Sequence, residues 1–135
     1  MKHKSPRILS IGQCQNDGPW MRRVLKKHLG AVVEEADSAS EAVSKARQSR
    51  YDLILVNREL AFEQSSGLDL VPGLIAIRPE TPVMLVSDYE EAQVAAIEQG
   101  AARGFGKSDF ETTETLGRLA KVVHCAAAID ADPPA

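Results

Sequence analysis

The sequence has no long apolar run and no surplus of positive charge. A membrane-spanning helix needs roughly 20 consecutive apolar residues, and no segment of the 135 residues approaches that length. The formal net charge is -3, whereas nucleic-acid binding needs Lys and Arg clustered over a whole face. We therefore expect a chain that binds neither a membrane nor nucleic acid.

Cysteine, histidine and catalytic motifs are also scarce. The two cysteines, Cys14 and Cys125, form no CxxC pair, and no signal-peptide pattern begins the chain. This usage predicts a reducing, cytoplasmic setting. His3, His28 and His124 belong to no HExxH or Ser-His-Asp arrangement, so we expect no enzymatic activity.

What the sequence does have is aliphatic residues in short runs. Apolar residues make up 44% of the chain while aromatics make up only 4%, which suits helices packed on an aliphatic sheet. Five runs, at 8–11, 31–33, 53–56, 83–86 and 104–106, are each followed by helical spacing. Such nearly continuous runs are typical of parallel strands covered on both faces. We predict one α/β domain over residues 7–125, with flexible tails at 1–6 and 126–135.

Local signals place the ends of two helices. Ser38 followed by Glu41 is a capping box that opens a helix over residues 39–48, and Gly100 ends a helix over residues 90–99. Another helix is predicted over residues 70–77. If Asp69 is its N-cap, Pro72 falls in the first turn, where a missing N–H costs no hydrogen bond.

A parallel sheet whose winding reverses once has a crevice at the carboxyl ends of its strands. The segments that follow the predicted strands are 12–18, 57–67, 87–88 and 107–108. We expect the functional site there.

Several of these segments resemble the receiver domain of response regulators in two-component signalling, over residues 7–123. Residues 51–57 (YDLILVN) are similar to the third strand of that family, and residues 81–87 (TPVMLVS) to the fourth. Residues 99–101 (QGA) and 107–110 (KSDF) are similar to the fifth-strand region. The resemblance implies a flavodoxin-like receiver fold, a doubly wound five-stranded parallel sheet of order 2-1-3-4-5 with helices on both faces.

The resemblance also identifies five site positions. Family members use two acidic residues after the first strand to hold Mg²⁺, an Asp after the third to accept phosphate, a Ser or Thr after the fourth, and a Lys after the fifth. Ser87 and Lys107 match the last two, but Gly12 and Gln13 replace the acidic pair and Asn57 replaces the phosphoacceptor. A carboxamide is neutral and a poor nucleophile, and Mg²⁺ is held by carboxylates. We expect no phosphorylation, no metal site and no cofactor.

The missing carboxylates leave the ammonium of Lys107 without its usual counter-ions, and an unpaired buried ammonium is costly. Three arrangements remain open. Lys107 points to solvent, pairs with Asp17, Glu59 or Asp88, or holds an anion together with Ser87. An inward-facing carboxylate of those three would also restore a metal or phosphate site.

The aromatic switch of the family, three residues before the Lys, corresponds here to Gly104, which has no side chain to rotate. Phe105 lies beside it and is interpreted as a core residue, and Ser108 replaces the usual Pro after the Lys. These departures indicate a degenerate receiver held in one signalling state. We expect a phosphorylation-independent module that binds a signalling partner or a second copy of itself.

The predicted partner surface is the face formed by the fourth helix, fifth strand and fifth helix. Its expected members are Ala92, Val94, Ala95, Arg103 and Lys107. Two alternatives remain. One is a receiver phosphorylated on a displaced carboxylate, and the other is a small flavodoxin-like protein that binds an anion or ligand through Ser87, Lys107 and residues 12–18.

Overall fold

The chain folds around a five-stranded parallel sheet. The computed structural model describes residues 5–131, with side chains for residues 5–124. The strands in this part are β1 (Arg7–Ile11), β2 (Val32–Ala36), β3 (Leu53–Asn57), β4 (Val83–Val86) and β5 (Ala102–Phe105). Their order is β2-β1-β3-β4-β5, with parallel pairing throughout. The predicted fold class and strand order are confirmed.

Helices connect the strands. They are α1 (Asp17–Leu29), α2 (Ala39–Gln48), α3 (Val71–Ile77), α4 (Glu90–Glu98) and α5 (Thr113–Ala131), with 3₁₀ turns at Leu68–Leu70 and Lys107–Asp109. Helix α5 continues to Ala131, past the domain boundary that the sequence analysis places at residue 125. The ends of the two predicted tails, residues 1–4 and 132–135, lie outside the described residues.

The sheet is covered on both faces because its central strands are apolar on both. Ile8, Leu55 and Met84 point toward α1 and α5 and join one buried cluster. The residues that alternate with them along the strands, such as Leu9 and Ile54, point toward α2, α3 and α4 and join the other. Side chains of a strand point alternately to opposite faces, so two cores form from one sheet. This packing fixes the carboxyl ends of the strands, where the loops meet.

The two edge strands differ from their predicted bounds. Strand β2 begins after residue 31 and continues through Glu34 and Glu35, which form ion pairs with Arg7 and Arg22. Strand β5 occupies Ala102–Phe105 instead of residues 104–106. Each edge strand has exposed positions and therefore lacks the continuous apolar run of a central strand.

Helix starts follow the predicted chemistry in part. The hydroxyl of Ser38 accepts a hydrogen bond from the N–H of Glu41 at 3.0 Å, as predicted for the start of α2. The Glu41 carboxylate accepts from the N–H of Asp37, one residue before the cap.

Two predicted helix limits are wrong. Asp69 is not the N-cap of α3, because it lies inside the 3₁₀ turn Leu68–Leu70 that precedes the helix, although Pro72 does lie in the first turn. Helix α4 ends at Glu98, one residue before the predicted end.

Candidate functional site

Three loops meet at the carboxyl end of the sheet and line a polar groove of about 350 Å³. They follow β3, β4 and β5, as expected for a parallel α/β sheet. The lining residues are Asn57, Arg58, Glu59, Ala61, Val86, Ser87, Asp88, Tyr89 and Lys107. Three of the five site residues that the resemblance identified, Asn57, Ser87 and Lys107, therefore face one groove.

Asn57, the last residue of β3, donates both of its carboxamide hydrogens to backbone carbonyls. Nδ2 lies 3.2 Å from the carbonyl oxygen of Gly12 and 2.7 Å from that of Glu59. An ionised carboxylate has no hydrogen to donate. The amide of Asn57 thus connects the loop after β1 to the loop after β3 in a way that an aspartate would not.

Gly12 has no room for a side chain. Its φ is +77°, a conformation that favours glycine, and a Cβ placed there would lie 2.9 Å from the Cα of Leu60 and closer still to the Leu60 side chain. Its N–H donates to the carbonyl of Ala36, and its carbonyl accepts from the N–H of Ala61. The loop after β3 therefore occupies the space that an acidic side chain at position 12 would need.

Gln13 is buried away from the groove, with 3% of its surface exposed. Its Nε2 lies 3.5 Å from the carbonyl oxygen of Ile11, and its Oε1 has no hydrogen-bond partner. Gly12 and Gln13 follow β1, but neither residue lines the groove. Neither therefore offers a side-chain oxygen to a ligand in it.

Lys107 forms an ion pair with Asp17, the first residue of α1. Nζ lies 2.8 Å from Oδ2, and about 30% of each side chain is exposed. The hydrogen bond from Lys107 lowers the pKa of the Asp17 carboxyl, partial burial opposes this shift, and the Cys14 thiol assists it. Of the arrangements left open by the sequence, pairing with Asp17 is the one observed.

Of the other two candidate carboxylates, Asp88 pairs with Ser108, and Glu59 is placed by its backbone. Asp88 accepts from the hydroxyl of Ser108 at 2.6 Å and from its N–H at 3.3 Å. The backbone of Glu59 forms an isolated antiparallel bridge to Ser66. Asp88 and Glu59 line the groove, but neither contacts Lys107 within salt-bridge distance.

Ser87 is held by its own backbone and its neighbours. Its N–H donates to the carbonyl of Phe105 at 2.9 Å, and its hydroxyl oxygen accepts from the N–H of Tyr89 at 3.1 Å. The ring of Tyr89 lies beneath the guanidinium of Arg58 at 5.1 Å. The residue that follows β4 thus has a fixed position beside the groove.

Gly104, at the position of the family's aromatic switch, has no side chain and lies in a β-bulge of β5. Met84 pairs with Ala102 and Val86 with Phe105, so one residue of β4 faces two of β5. A Cβ on Gly104 would lie 2.0 Å from the carbonyl oxygen of Leu85. The backbone at Gly104 therefore approaches β4 too closely for any other residue type.

Phe105 is a core residue, as interpreted from the sequence. Its ring stacks on that of Phe110 at 5.2 Å between centroids, and 3% of its surface is exposed. Two members of the predicted partner surface, however, do not lie on it. Ala92 is buried, and Lys107 points into the groove toward Asp17.

Sequence reasoning missed Gln93, a buried polar residue of α4 that contacts both β4 and β5. Ala96, three residues later, is also buried. Residues three apart share a helix face, so the helical spacing alone places Gln93 on the inner side of α4. A glutamine on an apolar helix face needs hydrogen-bond partners. This need is the signal by which the sequence could have identified Gln93.

The described residues contain neither a metal-binding cluster nor a membrane-spanning helix. No three His, Cys, Asp or Glu side chains within the described part of the chain are arranged to hold a metal ion. None of its helices combines the length and the apolar character that crossing a bilayer requires.

The family model for the response regulator receiver domain matches residues 16–115. The chain therefore belongs to the response regulator receiver domain family, the receiver class of two-component signalling. No curated protein matched its sequence.

Solved structures show the same fold. A response regulator protein from Burkholderia pseudomallei, with a phosphorylated aspartic acid, calcium ion and citrate, is 22% identical with a TM-score of 0.72, covering 94% of this chain and 72% of that one. A CheY-like receiver domain protein from Methanospirillum hungatei is 20% identical with a TM-score of 0.73, covering 96% and 100%. NtrX from Brucella abortus is 19% identical with a TM-score of 0.79, covering 95% of this chain and 29% of that longer one.

Proposed function

We propose that this receiver domain acts without being phosphorylated, as a module that binds another protein of a signalling pathway. The observation that carries the proposal is the carboxamide of Asn57 at the end of β3, with both hydrogens donated to backbone carbonyls. Acyl phosphate formation needs a carboxylate oxygen as the nucleophile. The carboxamide at this position serves loop packing instead.

The residues around Asn57 support a second part of the proposal, that the domain binds neither a metal ion nor a cofactor. Mg²⁺ dehydrates reluctantly and is held by carboxylates together with phosphate oxygens. Gly12 has no side chain and no space for one, and Gln13 is buried. The proposed domain therefore uses no Mg²⁺ and no cofactor, and catalyses no reaction.

The proposed partner surface is the face formed by α4, β5 and α5. Val94 and Ile97 of α4 expose 42% and 39% of their surface there. Beside them, the guanidinium of Arg103 on β5 forms a two-pronged ion pair with the carboxylate of Glu90 on α4. Apolar residues next to a fixed polar pair are suited to a protein partner. That partner is another signalling protein of the cytoplasm or a second copy of the chain.

A second candidate is phosphorylation on a displaced carboxylate. The specific observation in its favour is that Asp17 is near enough to Lys107 for an ion pair. In the first proposal that carboxylate serves as a permanent counter-ion, which leaves Lys107 no free charge for an incoming phosphoryl group.

The test is an amide NMR titration of the 135-residue chain, first with Mg²⁺ and then with beryllofluoride, which mimics a phosphoryl group on a carboxylate. The proposal predicts no shifts at Gly12, Asn57, Ser87 and Lys107 in either step. Saturable, Mg²⁺-dependent shifts that reach Phe105 would contradict it.

Two controls separate the alternatives. Loss of any such shifts in Asp17→Asn, but not in Glu80→Gln, would identify Asp17 as the displaced acceptor. Glu80 is an exposed carboxylate in the turn before β4. Shifts produced by inorganic phosphate without Mg²⁺ would instead indicate an anion-binding protein.

A further inference from the structure

Gln93 connects three elements through one buried side chain. It lies on α4 with 4% of its surface exposed. Its Nε2 lies 3.0 Å from the carbonyl oxygens of Leu85 on β4 and Ser87 in the following loop. Its Oε1 accepts from the N–H of Gly104 on β5 at 2.9 Å.

The bulge between β4 and β5 explains why these backbone groups need a side-chain partner. An extra residue in one strand interrupts the regular ladder and leaves backbone groups unpaired. Buried backbone groups without hydrogen-bond partners destabilise the folded state. Gln93 supplies a donor and an acceptor at the bulge, and the absence of a side chain on Gly104 allows the close approach of the two strands.

A second contact holds the loop after β4 from the other side. The carboxylate of Asp88 accepts from the hydroxyl and the N–H of Ser108. A Cβ on Gly106 would lie 1.7 Å from this carboxylate, so Asp88 packs directly against the end of β5. A proline at position 108 would provide neither donor.

We infer that Gln93 and Asp88 hold the loop after β4 against β5 permanently, so that the face formed by α4, β5 and α5 has one fixed conformation. Gln93 joins the loop that carries Ser87 to β5. Asp88 joins the same loop to the 3₁₀ turn that carries Lys107, and neither contact requires a group bound in the groove. Here the chain's own side chains position the loop. This inference rests on the proposed function, because a fixed face is useful only if partner binding is not switched by phosphate.

The test is amide hydrogen exchange of the full chain in Gln93→Leu, which removes all the polar contacts at similar volume. The matched control is Gln99→Leu, because Gln99 follows the same helix and its Oε1 has no partner. The exchange rate of the Gly104 amide is expected to rise roughly 10- to 100-fold in Gln93→Leu. Amides of β1 and β3 should change much less, and Gln99→Leu should resemble the wild type.

Two results would overturn the inference. One is a Gly104 exchange rate within about twofold of the wild type. The other is an equal rise at β1, β3 and Gly104, since that pattern shows a general loss of stability.

If Gln93→Leu does not fold, Ser108→Ala, a substitution at an exposed residue, tests the contact between Asp88 and Ser108. Removing the Ser108 hydroxyl is expected to broaden the amide signals of Ser87 and Asp88, whereas the control Ser40→Ala should leave them sharp. Unchanged signals in Ser108→Ala would contradict the inference. The results that would contradict the inference in Gln93→Leu and in Ser108→Ala are distinct from failure of the proposed function. That failure would appear as beryllofluoride-dependent shifts in the wild-type chain.

Discussion

At the scale of single residues, the carboxamide of Asn57 connects two loops beside the groove. Its amide donates to the carbonyls of Gly12 and Glu59. In Asn57→Asp those oxygens would face a carboxylate, which repels them and offers no hydrogen. We expect the free energy of unfolding to fall by about 1–3 kcal/mol, measured by urea denaturation at neutral pH.

The chain offers a matched control for this change. Asn16 is the other asparagine, exposed before α1 and without a side-chain capping bond. Asn16→Asp should leave stability equal or slightly higher, because a negative charge is favoured at a helix N-terminus. Equal stabilities of Asn57→Asp and the wild type would show that the amide contacts are not needed.

The ion pair between Asp17 and Lys107 gives a prediction about pH. The pKa of Asp17 is held below its ordinary value of 3.8, chiefly by the hydrogen bond from Lys107. A group whose pKa is lowered by folding stabilises the folded state above its unfolded pKa, and this contribution is lost as pH falls through the folded value. Asp17→Asn should therefore be less stable than the wild type at pH 7 by about 0.5–1 kcal/mol.

The difference in the free energy of unfolding between wild type and Asp17→Asn should narrow as the pH falls below 3.8. Urea unfolding at several pH values measures this difference. Glu80→Gln, at an exposed turn position, should not show the same narrowing. A difference between wild type and Asp17→Asn that stays constant down to acid pH would mean that the pair contributes nothing through its charge.

At the scale of elements, the loops after β1 and β3 pack against each other at Gly12. Gly12→Ala places a methyl group 2.9 Å from the Leu60 Cα at a φ of +77°. We expect a loss of about 2–4 kcal/mol in the free energy of unfolding, measured by chemical denaturation.

Gly117 on α5 is the control for this substitution, because a Cβ there meets nothing within 4 Å. Gly117→Ala should raise stability by about 1 kcal/mol, the difference in helix propensity. A Gly12→Ala variant as stable as the wild type would show that the loop moves aside easily and that an acidic residue could be accommodated.

Sequence alone predicted the central elements well. Helix α2 and strand β4 have the predicted bounds, because a capping serine and a continuous apolar run are local signals. Strand β5 was misplaced since Ala102 and Arg103 are exposed at the sheet edge. An edge position depends on tertiary packing, which the local pattern does not contain.

The site was predictable in composition but not in arrangement. The resemblance identified Asn57, Ser87 and Lys107, and these three share one groove. It did not select Asp17 over Glu59 or Asp88 as the partner of Lys107, because loop conformations set those distances. The contacts of Gln93 depend on a bulge between two strands, and a bulge has no reliable signature in a single sequence.

At the scale of the whole molecule, the fold of a response regulator receiver domain is retained while its groove is arranged around neutral and paired side chains. Asn57 faces backbone carbonyls, Lys107 faces Asp17, and position 104 has no side chain. Apart from Val86, the residues that line the groove belong to neither of the two cores on either side of the sheet.

The most direct test of this account is the intact mass of the chain after incubation with acetyl phosphate and Mg²⁺. A receiver domain with an aspartate at the end of β3 serves as the positive control. The account predicts that the mass of this chain stays unchanged while the control gains a phosphoryl group. A phosphoryl adduct that disappears in Asp17→Asn would contradict the central claim and would establish a displaced acceptor.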